Sequence, residues 1–242
     1  MCQHCPPSPV ERQSELPRRN FLKLAGAAAL GLTLPGRSEA APPRPQNVIG
    51  PDEALARLMA GNERYRKGTM VTHDFHSKRP ALALAQNPFA GILSCADSRV
   101  APEYAFDTGV GDLFVCRVAG NFANPDTIAS FEFGVAVLGV PFILVLGHSR
   151  CGAVDSTIKA VKDGATFPGH IPSLVKALRP SVKAVLKEPG DLLVNATNEN
   201  VRRTVEMLKK ASPILDKGVK DGTLRVAGGV YDLSTGRVEI IA

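Results

Sequence analysis

Two apolar runs, residues 89–94 and 142–146, each lead into a side chain that binds metals. Cys95 follows the first directly, and His148 stands just beyond the second, after Gly147. Short continuous apolar runs suit strands buried on both faces, as in a parallel sheet covered by helices. Parallel strands finish on one edge, and open α/β sheets bind ligands at that carboxyl edge. The two runs therefore predict that Cys95 and His148 meet. A chain of 242 residues, 44% hydrophobic and 21% charged, has room for one sizeable α/β domain.

The rest of the pattern fits that sheet. Helical spacing over Pro51–Lys67 places Leu55, Leu58 and Met59 on one face, with Pro51, Asp52 and Glu53 suited to the first turn and Gly68 to the stop. Residues 113–118 read as a second strand containing Cys116. Residues 127–138 read as a buried helix with Phe131, Val135 and Leu138 at helical intervals. Helices are expected over 153–161, over 171–186 with a break at Pro180, and over 191–210. Strands at 224–231 and 237–241 form a terminal hairpin around Ser234-Thr235-Gly236. Strand–helix alternation ending in a hairpin gives an α/β class with a mainly parallel central sheet.

The chemistry lies in two motifs, Cys95-Ala96-Asp97-Ser98-Arg99 and His148-Ser149-Arg150-Cys151. Two thiolates and an imidazole complete three corners of a zinc tetrahedron and leave the fourth for water or substrate. Cys151 precedes Gly152-Ala153 and a helical segment, and a helix amino terminus favours the thiolate. An arginine holds a carboxylate through paired hydrogen bonds. Asp97, directed by Arg99, is then free to accept a hydrogen bond from a zinc-bound hydroxide; direct ligation of zinc by Asp97 in a resting state is the alternative. A Cys95–Cys151 disulfide explains neither His148 nor the Asp97/Arg99 pair. A closed structural zinc site needs a fourth ligand, and the usual sets contain no carboxylate. Cys116 reads as a small buried hydrophobe, and His73, His76 and His170 as surface residues in polar stretches.

Residues 1–40 read as an address. Arg18-Arg19-Asn20-Phe21-Leu22-Lys23 is a twin-arginine pattern, followed by an apolar stretch from Leu24 to Leu34 and by Ser38-Glu39-Ala40 at the expected cut. Eleven residues are too few to span a bilayer, so the expected location is the periplasm, with no stable membrane insertion after cleavage. Cys2 and Cys5 precede the signal and would be discarded with it. Residues 41–49 read as a linker and 50–242 as the catalytic domain. The net charge is +6, of which the first 40 residues carry five Lys/Arg and three Asp/Glu. No basic block with interleaved aromatics occurs, which argues against nucleic acid. Gly228-Gly229 opens no helix-like segment, which argues against a dinucleotide site.

Taken together, the motifs resemble those of the β-class carbonic anhydrases. The resemblance rests on the two zinc motifs and extends to Arg117-Val118-Ala119-Gly120-Asn121, Glu132-Phe133, Gly228-Gly229-Val230-Tyr231-Asp232 and Asn62-Glu63-Arg64-Tyr65. It implies one Zn2+ per subunit on Cys95, His148 and Cys151, with Asp97 and Arg99 as the catalytic pair. It implies a narrow substrate pocket at a subunit interface, containing Gln86, Phe114, Phe133 and Gly152, in a homodimer or larger even oligomer. Many members carry Tyr where Phe133 stands. The chain after residue 40 contains no Trp, which resembles the open-site subgroup rather than the one regulated through a second bicarbonate site.

The expected reaction is the reversible hydration of carbon dioxide to bicarbonate and a proton by zinc-bound hydroxide. Two thiolates cancel the charge that three neutral histidines leave intact. Bound water is therefore expected to titrate above the ~7 of three-histidine sites, with activity climbing into the alkaline range. Hydrolysis of carbon disulfide or carbonyl sulfide would use the same site. A non-catalytic zinc-binding protein is the remaining alternative, though binding alone does not require the Asp97/Arg99 pair.

Overall fold

A computed structural model describes residues 49–211 and 213–242. The expected export signal (residues 1–40), residues 41–48 of the linker, and Cys2 and Cys5 lie outside the described residues. Helix α1 (Pro51–Lys67) has the predicted bounds, with acidic side chains in its first turn and Arg64, Arg66 and Lys67 in its last, matching the helix dipole. Its buried face includes the predicted Leu58, with Leu55 packed against the core, and extends to residues the apolar spacing did not mark. Ala54, Leu58, Gly61 and Asn62 are buried, whereas Leu55 and Met59 are half-buried. Asn62 turns the helix: it donates to the carbonyls of Ala105 and Gly236 at 2.9 and 2.8 Å and accepts from the Val238 amide at 2.9 Å. Gly61 permits the approach, since a Cβ there would lie 1.8 Å from the Phe106 carbonyl oxygen.

The sheet comprises β1 (Ala90–Ser94), β2 (Leu113–Arg117), β3 (Phe142–His148), β4 (Arg225–Tyr231) and β5 (Val238–Ile240), in the order β2-β1-β3-β4-β5. The first four run parallel, and β5 pairs antiparallel with β4. This is the predicted class with its terminal hairpin. Every residue of β1 and β3 is buried, as their unbroken apolar runs require. β3 is longer than expected, because Gly147 and His148 pair with Val230 and Tyr231.

Short helices α2 (Arg79–Leu82) and α3 (Pro102–Ala105) flank β1. The longer ones are α4 (Pro125–Ala136), α5 (Gly152–Lys162), α6 (Ile171–Ala184) and α7 (Leu192–Lys209), followed by α8 (Ile214–Lys220). α2, α3 and α8 are too short to carry a periodic signal, and none was expected. α4 begins two residues early because Asn124 and Thr127 form a reciprocal cap. It is not buried all round: Phe131 and Gly134 face inward, while Phe133 and Val137 are 49% and 59% exposed. α6 runs through Pro180 instead of breaking there. Pro180 and Lys176, whose carbonyl loses its partner to the proline, both lie on the exposed side, where water can satisfy that carbonyl. Asp191 caps α7 by accepting from the amides of Leu193 and Val194.

α1 and α3 cover one face of the sheet around Leu58, Ile92, Phe106 and Leu144. α4, α7 and α8 cover the other around Leu93, Phe131, Ile143 and Val205. A third apolar cluster, with Val154, Leu178, Val182 and Ala196, backs Cys95 and Cys151 at the carboxyl edge.

Candidate metal centre

Register brings the ligand set together. Ser94 pairs with Leu146 across parallel β1 and β3, so Cys95 leaves one strand close to where His148 ends the other. A tight turn through Ser149 and Arg150 then places Cys151 at the N-cap of α5. Arg150 takes a left-handed φ of 55°. The Ser149 amide donates to the Tyr231 carbonyl at 2.9 Å, and its hydroxyl accepts from the Leu233 amide at 3.0 Å. Cys95, His148 and Cys151 are all buried, and their ligand atoms lie within 4.8 Å of one another.

The donors fit a zinc ion. His148 Nδ1 lies 2.9 Å from the Ser149 carbonyl, which can only accept, so the proton sits on Nδ1 and Nε2 keeps its lone pair. That Nε2 is buried and has no hydrogen-bond partner among the described residues. A buried acceptor left without a partner is costly unless a cation or donor meets it. Cys95 and Cys151 are free thiols, not a disulfide. The Cys95 thiol is drawn down to about 4, chiefly by the neighbouring Cys151 thiol and further by the Gly120 and Asp97 amides, against the opposing effect of burial. The facing Cys95 sulfur, together with burial, pushes Cys151 up. A divalent cation between the sulfurs removes that opposition, and two thiolates with one imidazole are a zinc-selecting set.

Asp97 stands beside the cluster, its Oδ2 3.8 Å from His148 Nε2. Arg99 grips both carboxylate oxygens, Nε to Oδ1 at 2.9 Å and Nη2 to Oδ2 at 2.7 Å, and its amide adds a bond to Oδ1 at 3.0 Å. These bonds hold the Asp97 carboxyl well below the usual carboxylate range. Arg117, noted in the sequence only as a flanking match, clamps this loop from β2. It donates to the Cys95 carbonyl at 3.0 Å and to the Asp97 carbonyl at 2.8 Å. Gly120 and Asn200 also reach the site, Gly120 through its amide on the Cys95 sulfur at 3.3 Å and Asn200 through the Gly120 carbonyl at 2.8 Å. Asn200 carries no motif signal; only its place as a polar residue on the buried stripe of α7 could have marked it.

The proposed substrate residues are not gathered here within one chain. Gly152 is adjacent, as the first residue of α5. Phe114 pairs with Gly91, four residues before Cys95, which at ~3.3 Å per residue puts it roughly 13 Å back along the sheet. It packs against Gly134 of α4, next to exposed Phe133. Gln86 is exposed and precedes β1 by four residues, at the strands' amino edge. A cleft of about 530 Å³ opens behind the ligand turn, lined by Ser149, Arg150, Thr197 and Arg237, but none of the three ligands borders it. Cys116 is half-buried in β2. His76 and His170 are exposed, whereas His73 bonds the buried carboxylate of Asp107 at 3.1 Å.

A family model described as carbonic anhydrase matches residues 90–238. Carbonic anhydrase 2 of Mycobacterium tuberculosis is 38% identical over 189 residues, 77% of this chain and 91% of that one. The solved structure of the β-carbonic anhydrase CcaA is 27% identical, with a TM-score of 0.60, over 78% of this chain and 92% of that one. The tetrameric β-carbonic anhydrases of Sordaria macrospora share the fold, with a TM-score of 0.63 at 23% identity, over 79% of this chain and 95% of that one. With the ligand cluster, the parallel sheet and these likenesses in agreement, the chain belongs to the carbonic anhydrase family, in its β class, and its reaction is the reversible hydration of carbon dioxide.

Proposed function

We propose that this hydration runs at a zinc ion held by Cys95, His148 and Cys151, with Asp97 and Arg99 as the working pair. The observation that carries the reading is the unpartnered His148 Nε2, buried within reach of two free thiols. Zinc there supplies the positive charge that lets water act as a nucleophile near neutral pH. Asp97 accepts a hydrogen bond from the attacking water and aims its lone pair at the carbon of carbon dioxide. Arg99 keeps Asp97 ionised and pointed, and draws it away from a ligand position. As the oxygen–carbon bond forms, one carbon–oxygen π pair moves onto oxygen and the water's proton leaves to solvent. Two oxygens of Asp97 held by Arg99 support the open-site reading.

The substrate wall is completed by a second copy of the chain. Gln86, Phe114 and Phe133 lie toward the amino edge of the strands, and the ligands at the carboxyl edge, which supports a pocket assembled across a subunit interface in a dimer or larger even oligomer. Exposed Phe133 on α4 and Val137, four residues on and just past its end, suit such a buried contact. There Phe114 and Phe133 give an uncharged substrate an apolar seat, and Gln86 donates to one of its oxygens. Residues 1–40 direct export of the folded chain to the periplasm, a reading supported by Arg18-Arg19 and the short apolar stretch after them. Among the described residues no helix is long and apolar enough to cross a membrane.

Stopped-flow carbon dioxide hydration by the purified chain, with metal analysis of the same sample, tests the site. About one zinc per chain, and loss of both metal and rate on chelation, are expected. Full rate in a metal-free sample overturns the reading. For export, Arg18→Lys with Arg19→Lys should leave the protein in the cytoplasm; an unchanged periplasmic fraction refutes the signal.

A further inference from the structure

The sulfur of Cys95 does not stand alone. The Gly120 amide points at it from 3.3 Å. Gly120 takes a φ of +89°, a conformation reserved for glycine, and a Cβ there would lie 2.7 Å from a Leu178 methyl. The loop is therefore built so that the Ala119–Gly120 peptide can turn its N–H to the sulfur. Beyond the Gly120 Cα, Asn200 donates to the Gly120 carbonyl, which belongs to the next peptide, at 2.8 Å. Asn200 lies within α7, 80 positions along the chain, and is only 3% exposed. Asparagine is a poor interior helix residue, and burying its amide is unfavourable without a partner. The bond to Gly120 gives that burial its physical reason.

We propose that Asn200 is a positioning residue for the metal centre: by pinning the Gly120 carbonyl, it aims the Gly120 N–H at the Cys95 sulfur. An N–H···S bond draws charge off a thiolate and leaves the metal more electrophilic, the kind of outer contact that tunes metal sites. Asn200 acts through Gly120: holding the peptide that follows the Gly120 Cα limits the rotation of the peptide that precedes it, whose N–H faces the sulfur. The proposal rests on Cys95 being a metal ligand.

Nuclear magnetic resonance of the full chain loaded with the magnetic isotope of cadmium separates the two statements. Couplings are expected from cadmium to the Cys95 β-protons, through the covalent thiolate, and to the Gly120 amide proton, through the hydrogen bond. Asn200→Asp keeps the shape but cannot donate, and its carboxylate repels the Gly120 carbonyl. In that variant the Cys95 coupling should persist and the Gly120 coupling fade, with zinc affinity falling about tenfold and kcat dropping while KM holds. Asn200→Ala removes the donor without adding charge and supplies the same reading should the aspartate variant not fold. A Cys95 coupling with no Gly120 coupling, or a Gly120 coupling that neither substitution weakens, overturns the role of Asn200 alone. Absence of the Cys95 coupling overturns the ligand assignment and this proposal with it.

Discussion

The two edges of the central sheet are finished to different standards. At the carboxyl edge each ligand is buried, and its backbone is tied within the chain. Arg117 holds the Cys95–Asp97 loop, Tyr231 and Leu233 hold Ser149, and α5 begins on Cys151. At the amino edge Gln86 is open to solvent, as are Phe133 of α4 and Val137 just past its end. On the proposed reading, the difference follows from what each edge binds. A dication needs donors set to within a few tenths of an ångström before it arrives. An apolar seat for a small neutral gas needs only surfaces that a second copy can close.

Substitutions that strike one edge and spare the other sharpen this contrast. The largest effect is expected from Cys151→Ser, which should release the metal and bring hydration down to the uncatalysed rate, whereas Cys116→Ser on β2 should keep both. Metal content and stopped-flow rates on the pair decide it. Asp97→Asn should retain zinc yet lower kcat by about a hundredfold or more, because the variant amide still fits but accepts poorly. A rate within threefold of wild type, with roughly full metal occupancy, would remove Asp97 from the chemistry.

At the other edge, Phe133→Lys places an unpaired charge in the proposed contact. Association should weaken by about 3 kcal/mol, more than a hundredfold. Sedimentation should show monomers that still bind zinc but turn over poorly. If the variant stays assembled with normal kcat/KM, the shared pocket is wrong.

The smallest effect on catalysis belongs to Asp107, which lines a cleft beside α1 with Phe89 and Asp112, just before β1 and β2. Burial pushes its carboxyl up, but the bonds from Arg64, the Val71 amide and His73 outweigh that and hold it below its ordinary value. A depressed carboxylate stabilises the fold fully above the unfolded value near ~3.9, and that stability is lost as the pH falls through the lower folded value. Asp107→Asn should cost about 2 kcal/mol near neutral pH and flatten the acid limb of a melting-temperature profile, with kcat unchanged. A melting temperature that matches wild type at pH values near 7 would refute this account.

Much of the metal site was legible because its signals are local. Thiol and imidazole side chains at the ends of apolar runs announce both the strand and its cargo, and an Arg two residues from an Asp announces the pair. The buried face of α1 is wider than its apolar residues indicate, for the converse reason. Hydrophobicity points to Leu55, Leu58 and Met59, but Asn62 is also turned inward, by three partners from elsewhere in the chain. Pro180 misled because a helix tolerates proline when the freed carbonyl faces water. Asn200 escaped notice because the contact that explains it spans 80 positions.

The amino-acid sequence by itself determined the strand–helix order, the parallel sheet and the identity of the three side chains that could hold a metal, since periodicity and side-chain chemistry are properties of short segments. Only the tertiary structure decided which nitrogen of His148 faces the sulfurs, how Arg99 holds Asp97, and that Phe114, Phe133 and Gln86 stand apart from the ligands. Those outcomes depend on strand register and on hydrogen bonds between distant residues, which no local pattern encodes.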